Sequence, residues 1–168
     1  MSAQSPDSGQ LMATDFKDSM QELVEQVFHA LTDEEVPLWF SHDRLDAAAG
    51  TPALLAQVLM RGDWDGSVQV ICTDSAARAL TRQLTSAEPG EPVAIEDVED
   101  SMAEIANIFG GNVKSLLYGV SQLGLPTVNH CNVEALADQD DDSLLVAGCV
   151  VHWRDEQILV QVRRRTDD

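Results

Sequence analysis

Residues Asp100–Leu117 read D-S-M-A-E-I-A-N-I-F-G-G-N-V-K-S-L-L, and this stretch decides the fold. Laid on a helix at about 100° per residue, its side chains separate into two opposed faces. Met102, Ile105, Phe109 and Leu116, with Val98 one turn earlier, form an apolar stripe suited to a core. Asp100, Glu104, Asn107 and Gly111 gather on the opposite side. Glu104 and Asn107 are three residues apart, so they are surface neighbours that project in one direction. Gly110-Gly111 then interrupts a segment whose apolar period continues through Val113, Leu116 and Leu117. An interior glycine costs a helix about 0.8–1 kcal/mol relative to alanine. Two in succession point to a need for room, either for something approaching the polar face or for close packing of a neighbouring helix. Polar residues on the outer face of an amphipathic helix are the ordinary case, and spacing alone does not distinguish this pair from a solvated surface.

Outward from that stretch, the helix is expected to run from about Ala94 to Leu117. Glu96, Asp97, Glu99 and Asp100 in its first turns complement the positive end of the dipole. Before it, Ser86–Pro92 (S-A-E-P-G-E-P) is a turn-rich connector. A preceding helix over Ala76–Leu84 can be capped by Asp74 or Ser75. Leu55–Arg61 and Ser67–Thr73, separated by Gly62-Asp63-Trp64-Asp65-Gly66, read as strand, glycine-rich turn and strand. In the second of these Ser67, Gln69 and Cys72 interleave with Val68, Val70 and Ile71, as in a half-buried strand.

A first helix over Thr14–Leu31 carries Phe16, Met20, Leu23, Val27, Phe28 and Leu31 at helical period. Asp33-Glu34-Glu35 and Pro37 end it, and Val36–Ser41 reads as a short strand. His42–Gly50 is read as irregular or a helical turn. Leu123-Gly124-Leu125-Pro126 stops the long helix, and Thr127–Val133 is extended. Asp138–Asp142 is read as a solvated acidic loop, since it lacks the ligand spacing of a calcium loop. Leu144–Trp153 and Gln157–Arg163 close the chain as strands joined at Arg154-Asp155-Glu156. The order predicts an α+β fold with helices on a largely antiparallel sheet. Met1–Ala13, polar and without a basic start or apolar run, is read as a disordered tail rather than a secretory signal, with residues 14–168 forming a single domain.

Composition narrows the function classes. The formal net charge is −19, with Lys plus Arg only 10 against 29 Asp plus Glu, which argues against nucleic acid and anionic membrane as partners. Such a surface steers towards partners with a basic face. Cys72, Cys131 and Cys149 are odd in number and widely spaced, which fits reduced thiols in a cytoplasmic protein. No window approaches the length of apolar sequence a membrane span needs. His29, His42, His130 and His152 are scattered without metal-site spacing, and no G-x-S-x-G turn or phosphate-cradling glycine loop occurs. Trp39, Trp64 and Trp153 are read as core or turn packing.

One segment echoes another. Asp18–Phe28 (D-S-M-Q-E-L-V-E-Q-V-F) matches Asp100–Gly110 (D-S-M-A-E-I-A-N-I-F-G) in the register of Asp, Ser, Met and Glu. The echo is either the chance likeness of two amphipathic helices or a duplicated half, in which Glu25 stands where Asn107 stands and the first copy has lost its carboxamide.

Asp100-x-x-x-Glu104-x-x-Asn107 followed by Gly111-Asn112-x-Lys114 resembles the CheC/CheX/FliY family of chemotaxis phosphatases. The strand–turn–strand at Leu55–Thr73, the capped helix after it and the Leu125-Pro126-Thr127-Val128 step fall where a CheX-like domain has them. The resemblance implies a CheC-like fold and a phosphatase acting on the phospho-aspartate of a CheY-like receiver domain. It implies that Asn107 holds a water in line for attack and that Glu104 pairs with the receiver's active-site lysine. Asp100, Gly110 and Gly111 would contact the partner. The phosphatase would bring no cofactor of its own, with Mg2+ held by the receiver, and a homodimer is implied. One intact motif copy points to the CheX branch, because Glu25 cannot donate the carboxamide's hydrogen bond. The alternatives are a non-catalytic receiver-binding or dimerisation module and an acidic scaffold whose polar face is only solvated.

Overall fold

The structure, a computed structural model, describes residues 8–33, 39–41, 44–138 and 143–166. The elements are α1 (Ser8–Thr32), β1 (Trp39–Ser41), β2 (Pro52–Gly62), β3 (Gly66–Thr73), α2 (Asp74–Thr85), α3 (Ile95–Lys114), β4 (Ser121–Leu123), β5 (Thr127–Asn132), a 3-10 helix (Val133–Asp138), β6 (Ser143–Trp153) and β7 (Glu156–Arg165). The seven strands form one sheet in the order β1-β6-β7-β3-β2-β4, with β5 also paired to β2, and every pairing is antiparallel. The expected α+β architecture is the observed one.

Alternation along the strands builds the core. Leu54, Ala56, Val58 and Met60 of β2, Val68, Val70 and Cys72 of β3, and Ile158, Val160 and Val162 of β7 share one buried cluster with the helices. Into it α3 lowers Val98, Met102, Ile105, Phe109 and Val113, and α1 contributes Phe16, Met20, Val24, Val27 and Phe28. Phe28 and Phe109 meet with ring centroids 6.1 Å apart. Each such side chain, fully withdrawn from water, stabilises the fold by about 1.5–3 kcal/mol, so the apolar stripe of α3 fixes which of its faces is left outside.

The other face of the sheet is covered in part. Ile71, Val150 and Leu159 form a second small cluster under Leu45, Leu55 and Leu136. Here the expectation of a half-buried β3 is corrected. Lying between β2 and β7, β3 buries Ser67 and Gln69 as well as its valines. The polar cost is met across the strands. Gln161 Nε2 donates to Gln69 Oε1 at 2.6 Å, and Gln69 Nε2 donates to Gln57 Oε1 at 3.2 Å.

Several boundaries differ from expectation. α1 begins at Ser8, so residues 8–13 are helical rather than part of a tail. The cap of α2 is Thr73, whose hydroxyl accepts from Ala76 N–H at 3.2 Å, and not Asp74 or Ser75. Asp74 instead pairs with Arg78 one turn on, at 2.7 Å. β4 is only three residues long, too short for its strand period to show in the sequence. Residues 1–7, the Glu34–Pro37 break, His42 and the acidic run at 139–142 lie outside the described residues. No helix among the described residues is long and apolar enough to cross a membrane.

Candidate functional site

The placement of α3 starts with the connector before it. Arg82 Nε donates to Glu91 C=O at 2.7 Å and an Arg78 guanidinium N–H donates to Val93 C=O at 3.2 Å, tying the chain to α2 just before the helix begins. Ala94 is the N-cap residue and supplies no side-chain hydrogen bond, but Glu96 and Asp97 lie in the first turn, where carboxylates complement the dipole. From there α3 crosses the sheet, with β2 and β3 beneath it and α1 and α2 packed against it.

With Val98, Met102, Ile105, Ala106, Phe109 and Val113 buried, the opposite positions are fixed in the open. Asp100, Glu104, Asn107, Gly111 and Lys114 are all exposed, spaced four, three, four and three residues apart. That spacing keeps them in one line along the helix surface. Among the described residues, neither the Glu104 carboxylate nor the Asn107 carboxamide has a hydrogen-bond partner within the chain. The helix thus carries an acceptor-only group and a donor-and-acceptor group side by side, both free to engage a partner. Asn112, also in the quoted motif, is spent locally, its Nδ2 donating to Ile108 C=O at 2.8 Å.

The two glycines divide. Gly110 is buried, and a Cβ there would lie 3.0 Å from Val58 Cγ1 and 3.5 Å from Leu123 Cδ2. Its missing side chain lets α3 sit close on β2 and β4, so the expectation that Gly110 contacts a partner gives way to a packing role. Gly111 is exposed, and a Cβ there would meet nothing within 4 Å. Neither glycine has the positive φ that would explain it by backbone conformation. The room at Gly111 is room on the outside.

On the flank of α3 towards the sheet edge, His130 Nε2 on β5 lies 2.8 Å from Glu99 Oε1, both half-exposed. The sequence weighed His130 only as a metal ligand and did not reach this pairing, which joins residues 31 apart through the packing of β5 beside α3. Among the described residues no group of three or more His, Cys, Asp or Glu is placed to hold a metal ion. Cys72 and Cys149 are buried, and burial pushes both thiols up, Cys149 to about 12. Cys131 is half-buried and its thiol is raised by the same cause. None of the three belongs to the polar face.

The sequence echo between α1 and α3 extends to burial. Met20, Leu23, Val24 and Val27 are buried like Met102, Ile105, Ala106 and Phe109, while Asp18, Glu22 and Glu25 are exposed like Asp100, Glu104 and Asn107. The corresponding positions of α1 therefore present three carboxylates and no carboxamide.

Known proteins resemble this chain in sequence family and in fold. The family described as chemotaxis phosphatase CheX matches residues 54–147, more than half of the chain and inclusive of the whole polar face of α3. Among solved structures, a chain of the CheX-CheY-BeF3-Mg2+ complex from Borrelia burgdorferi is 17% identical, with 89% of this chain and 97% of that chain covered and a TM-score of 0.66. Chemotaxis protein CheX from Vibrio vulnificus is 13% identical, with 89% and 96% covered and a TM-score of 0.62. Thermotoga maritima FliY is 10% identical, with 96% and 91% covered and a TM-score of 0.62. At these identities the structures show a common fold. A search of curated proteins finds no significant match.

Proposed function

This chain belongs to the CheX family of chemotaxis phosphatases, and on that premise we propose that it hydrolyses the phospho-aspartate of a CheY-like response-regulator receiver domain. The observation that carries the proposal is the pairing of Glu104 and Asn107, exposed and unpartnered on one line of a helix whose other face is locked into the core.

Phosphoryl transfer asks a protein for positioning and charge stabilisation more than for covalent chemistry. A phosphatase that borrows a partner's active site therefore needs few groups. Asn107 accepts a hydrogen from the attacking water through its carbonyl and donates through its amide, which holds the water in line with the scissile bond. The water oxygen bonds to phosphorus, the bond from phosphorus to the aspartate oxygen breaks, and its electron pair stays on the carboxylate. The products are inorganic phosphate and free aspartate, and the water's proton leaves with phosphate or solvent. Glu104, one turn earlier, pairs with the receiver's active-site lysine and sets the register in which Asn107 meets the phosphoryl group. Asp100, a further turn back on the same line, extends the acidic contact. The magnesium ion belongs to the receiver, where it offsets phosphoryl charge. The CheX-CheY-BeF3-Mg2+ complex from Borrelia burgdorferi, a chain of which shares this fold, supports this choice of partner class.

The test is decay of an acetyl-phosphate-charged receiver from the same genome, with Mg2+ and substoichiometric phosphatase. Wild type is expected to turn over, and Asn107→Ala to lose at least about 100-fold, the scale expected for a group that positions a reacting atom. Binding without acceleration by wild type would make the protein a docking module instead. No binding to any receiver would return the polar face to a solvated surface.

A further inference from the structure

The most exposed large apolar side chains in the described residues lie together in sequence just after α3: Tyr118 at 78%, Val120 at 77% and Leu125 at 89%. They are not displayed by a loose loop. Asp63 N–H donates to Val120 C=O at 3.0 Å, and Val120 N–H donates to Asp63 Oδ2 at 2.7 Å. Ser121 Oγ bridges Trp64, accepting from its N–H and donating to its C=O, both at 3.3 Å. Gly124 N–H donates to Leu59 C=O at 2.8 Å, directly before Leu125. Gly119 has φ +87, and a side chain there would run into Asp63, so the turn that separates Tyr118 from Val120 is specified. The backbone is thus fixed while the side chains point to water, an arrangement that favours association by lowering the ordering cost at an interface.

These residues follow the C-terminal end of α3, the helix that carries Glu104 and Asn107. Leu123 packs against Gly110, one turn from Asn107, and Leu125 follows two residues on. Lys114 lies on the Asn107 line about 10 Å along the helix at 1.5 Å per residue. A small transient interface burying roughly 600 Å² on each partner covers a disc of about 14 Å radius, so a partner centred on Asn107 reaches this end of α3. Lys114 is the one cation on α3, and among the described residues it forms no ion pair. The opposite end of the line is acidic through Asp100 and Glu104.

We propose that Tyr118, Val120 and Leu125, with Lys114, form an apolar anchor and a charge guide that dock the same receiver domain. This inference rests on the reading of Glu104 and Asn107 as the working pair. The receiver supplies an apolar patch for the anchor, basic groups facing Asp100 and Glu104, and acidic groups facing Lys114. The acid and base at opposite ends of one line allow a single orientation. Isolated apolar residues on a surface need no explanation, but the three most exposed, on a pinned backbone at the end of the helix that carries the candidate pair, do.

The experiment measures steady-state dephosphorylation of the charged receiver, and binding of the same receiver in its beryllofluoride form, for wild type, Tyr118→Ser, Leu125→Ser, Lys114→Glu and Asn107→Ala. Tyr118→Ser and Leu125→Ser are expected to raise KM and the dissociation constant about tenfold with kcat little changed, as loss of an anchor side chain does. Lys114→Glu is expected to raise KM most at low salt, where surface charge acts furthest. Asn107→Ala should do the opposite, lowering kcat with binding retained. Melting curves control for folding, and serines at such exposed positions remove little core packing. Unchanged KM and binding in both serine variants, with wild type active, overturns the docking surface and leaves the phosphatase reading standing. A drop in oligomeric state on Leu125→Ser with unchanged KM assigns the patch to a second copy, which also overturns it. Weakened receiver binding in a protein without turnover supports the surface and overturns the phosphatase reading. No binding to any receiver overturns both.

Discussion

Replacing Gly111 by alanine should make the protein more stable and a worse phosphatase. Gly111 sits inside α3 with a helical φ, exposed, and a Cβ there would meet nothing within 4 Å. The only folded-state change is then the recovery of helix propensity, about 0.8–1 kcal/mol. For a chain of this length that raises Tm by about 2–4 °C. Gly111→Leu should keep most of the gain, because leucine is also a good helix former and the site is open. Both variants place atoms where a partner domain would close on the line between Asn107 and Lys114. KM for the phosphorylated receiver should rise modestly for alanine and by tenfold or more for leucine, at about 1.4 kcal/mol per factor of ten.

The neighbouring glycine supplies the control. A Cβ on Gly110 would stand 3.0 Å from Val58 Cγ1 and 3.4 Å from Val58 Cβ. Valine is stiff at χ1 and this one sits on a strand paired on both sides, so it yields little. Overpacking of about 1–3 kcal/mol offsets the same propensity gain, and Gly110→Ala should come out neutral to destabilised. Thermal unfolding by circular dichroism and a receiver-decay assay read both quantities on the same samples. If Gly111→Leu is stable and its KM equals that of wild type, the open space at Gly111 is not used by a partner and the reasoning fails. If Gly111→Ala fails to gain stability, the site is not as open as its surroundings indicate.

Two further outcomes follow from the core. Phe109→Ala empties a fully buried site against Phe28 and should cost about 3–5 kcal/mol, read as a lower urea midpoint at unchanged slope. Burial raises the Cys149 thiol from 9.0 to about 12 and raises Cys72 further, with Glu156 and Asp74 adding to the latter. A raised folded value means stability that is complete below pH 9 and is lost as pH climbs towards the folded value. The slope approaches about 1.4 kcal/mol per pH unit per thiol. Urea unfolding at pH 8 and 10 should show that decline, and Cys149→Ala should remove about half of it, Cys72 supplying the rest; an equal decline in the variant would count against the burial argument.

What could be read from the sequence was local. The two faces of α3 follow from a period of 3.6 residues and the strands β2, β6 and β7 from runs of apolar residues, so both were legible before any coordinates. Glu104 and Asn107 were legible because the core stripe opposite them fixes where they point. What was not legible depended on residues far apart in sequence. β4 is held by pairing of Leu123 with Met60 and is too short to show a period. The burial of Gln69 depends on Gln57 and Gln161, 12 and 92 residues away, which no window includes.

The glycine pair shows the same division within two residues. Adjacent positions on a helix point about 100° apart, so Gly110 and Gly111 cannot share a purpose once the flank occupied by the sheet is known. That flank is set by Val58 and Leu123, outside the helix altogether. Gly110 brings α3 down onto β2 and holds the helix where its outer line stands clear. Gly111 keeps the line open at the turn after Asn107. The helix gives up propensity at both positions, once to be seated and once, on the proposed function, to be reached by a partner. That is why substitutions at the two sites should separate stability from activity in opposite directions.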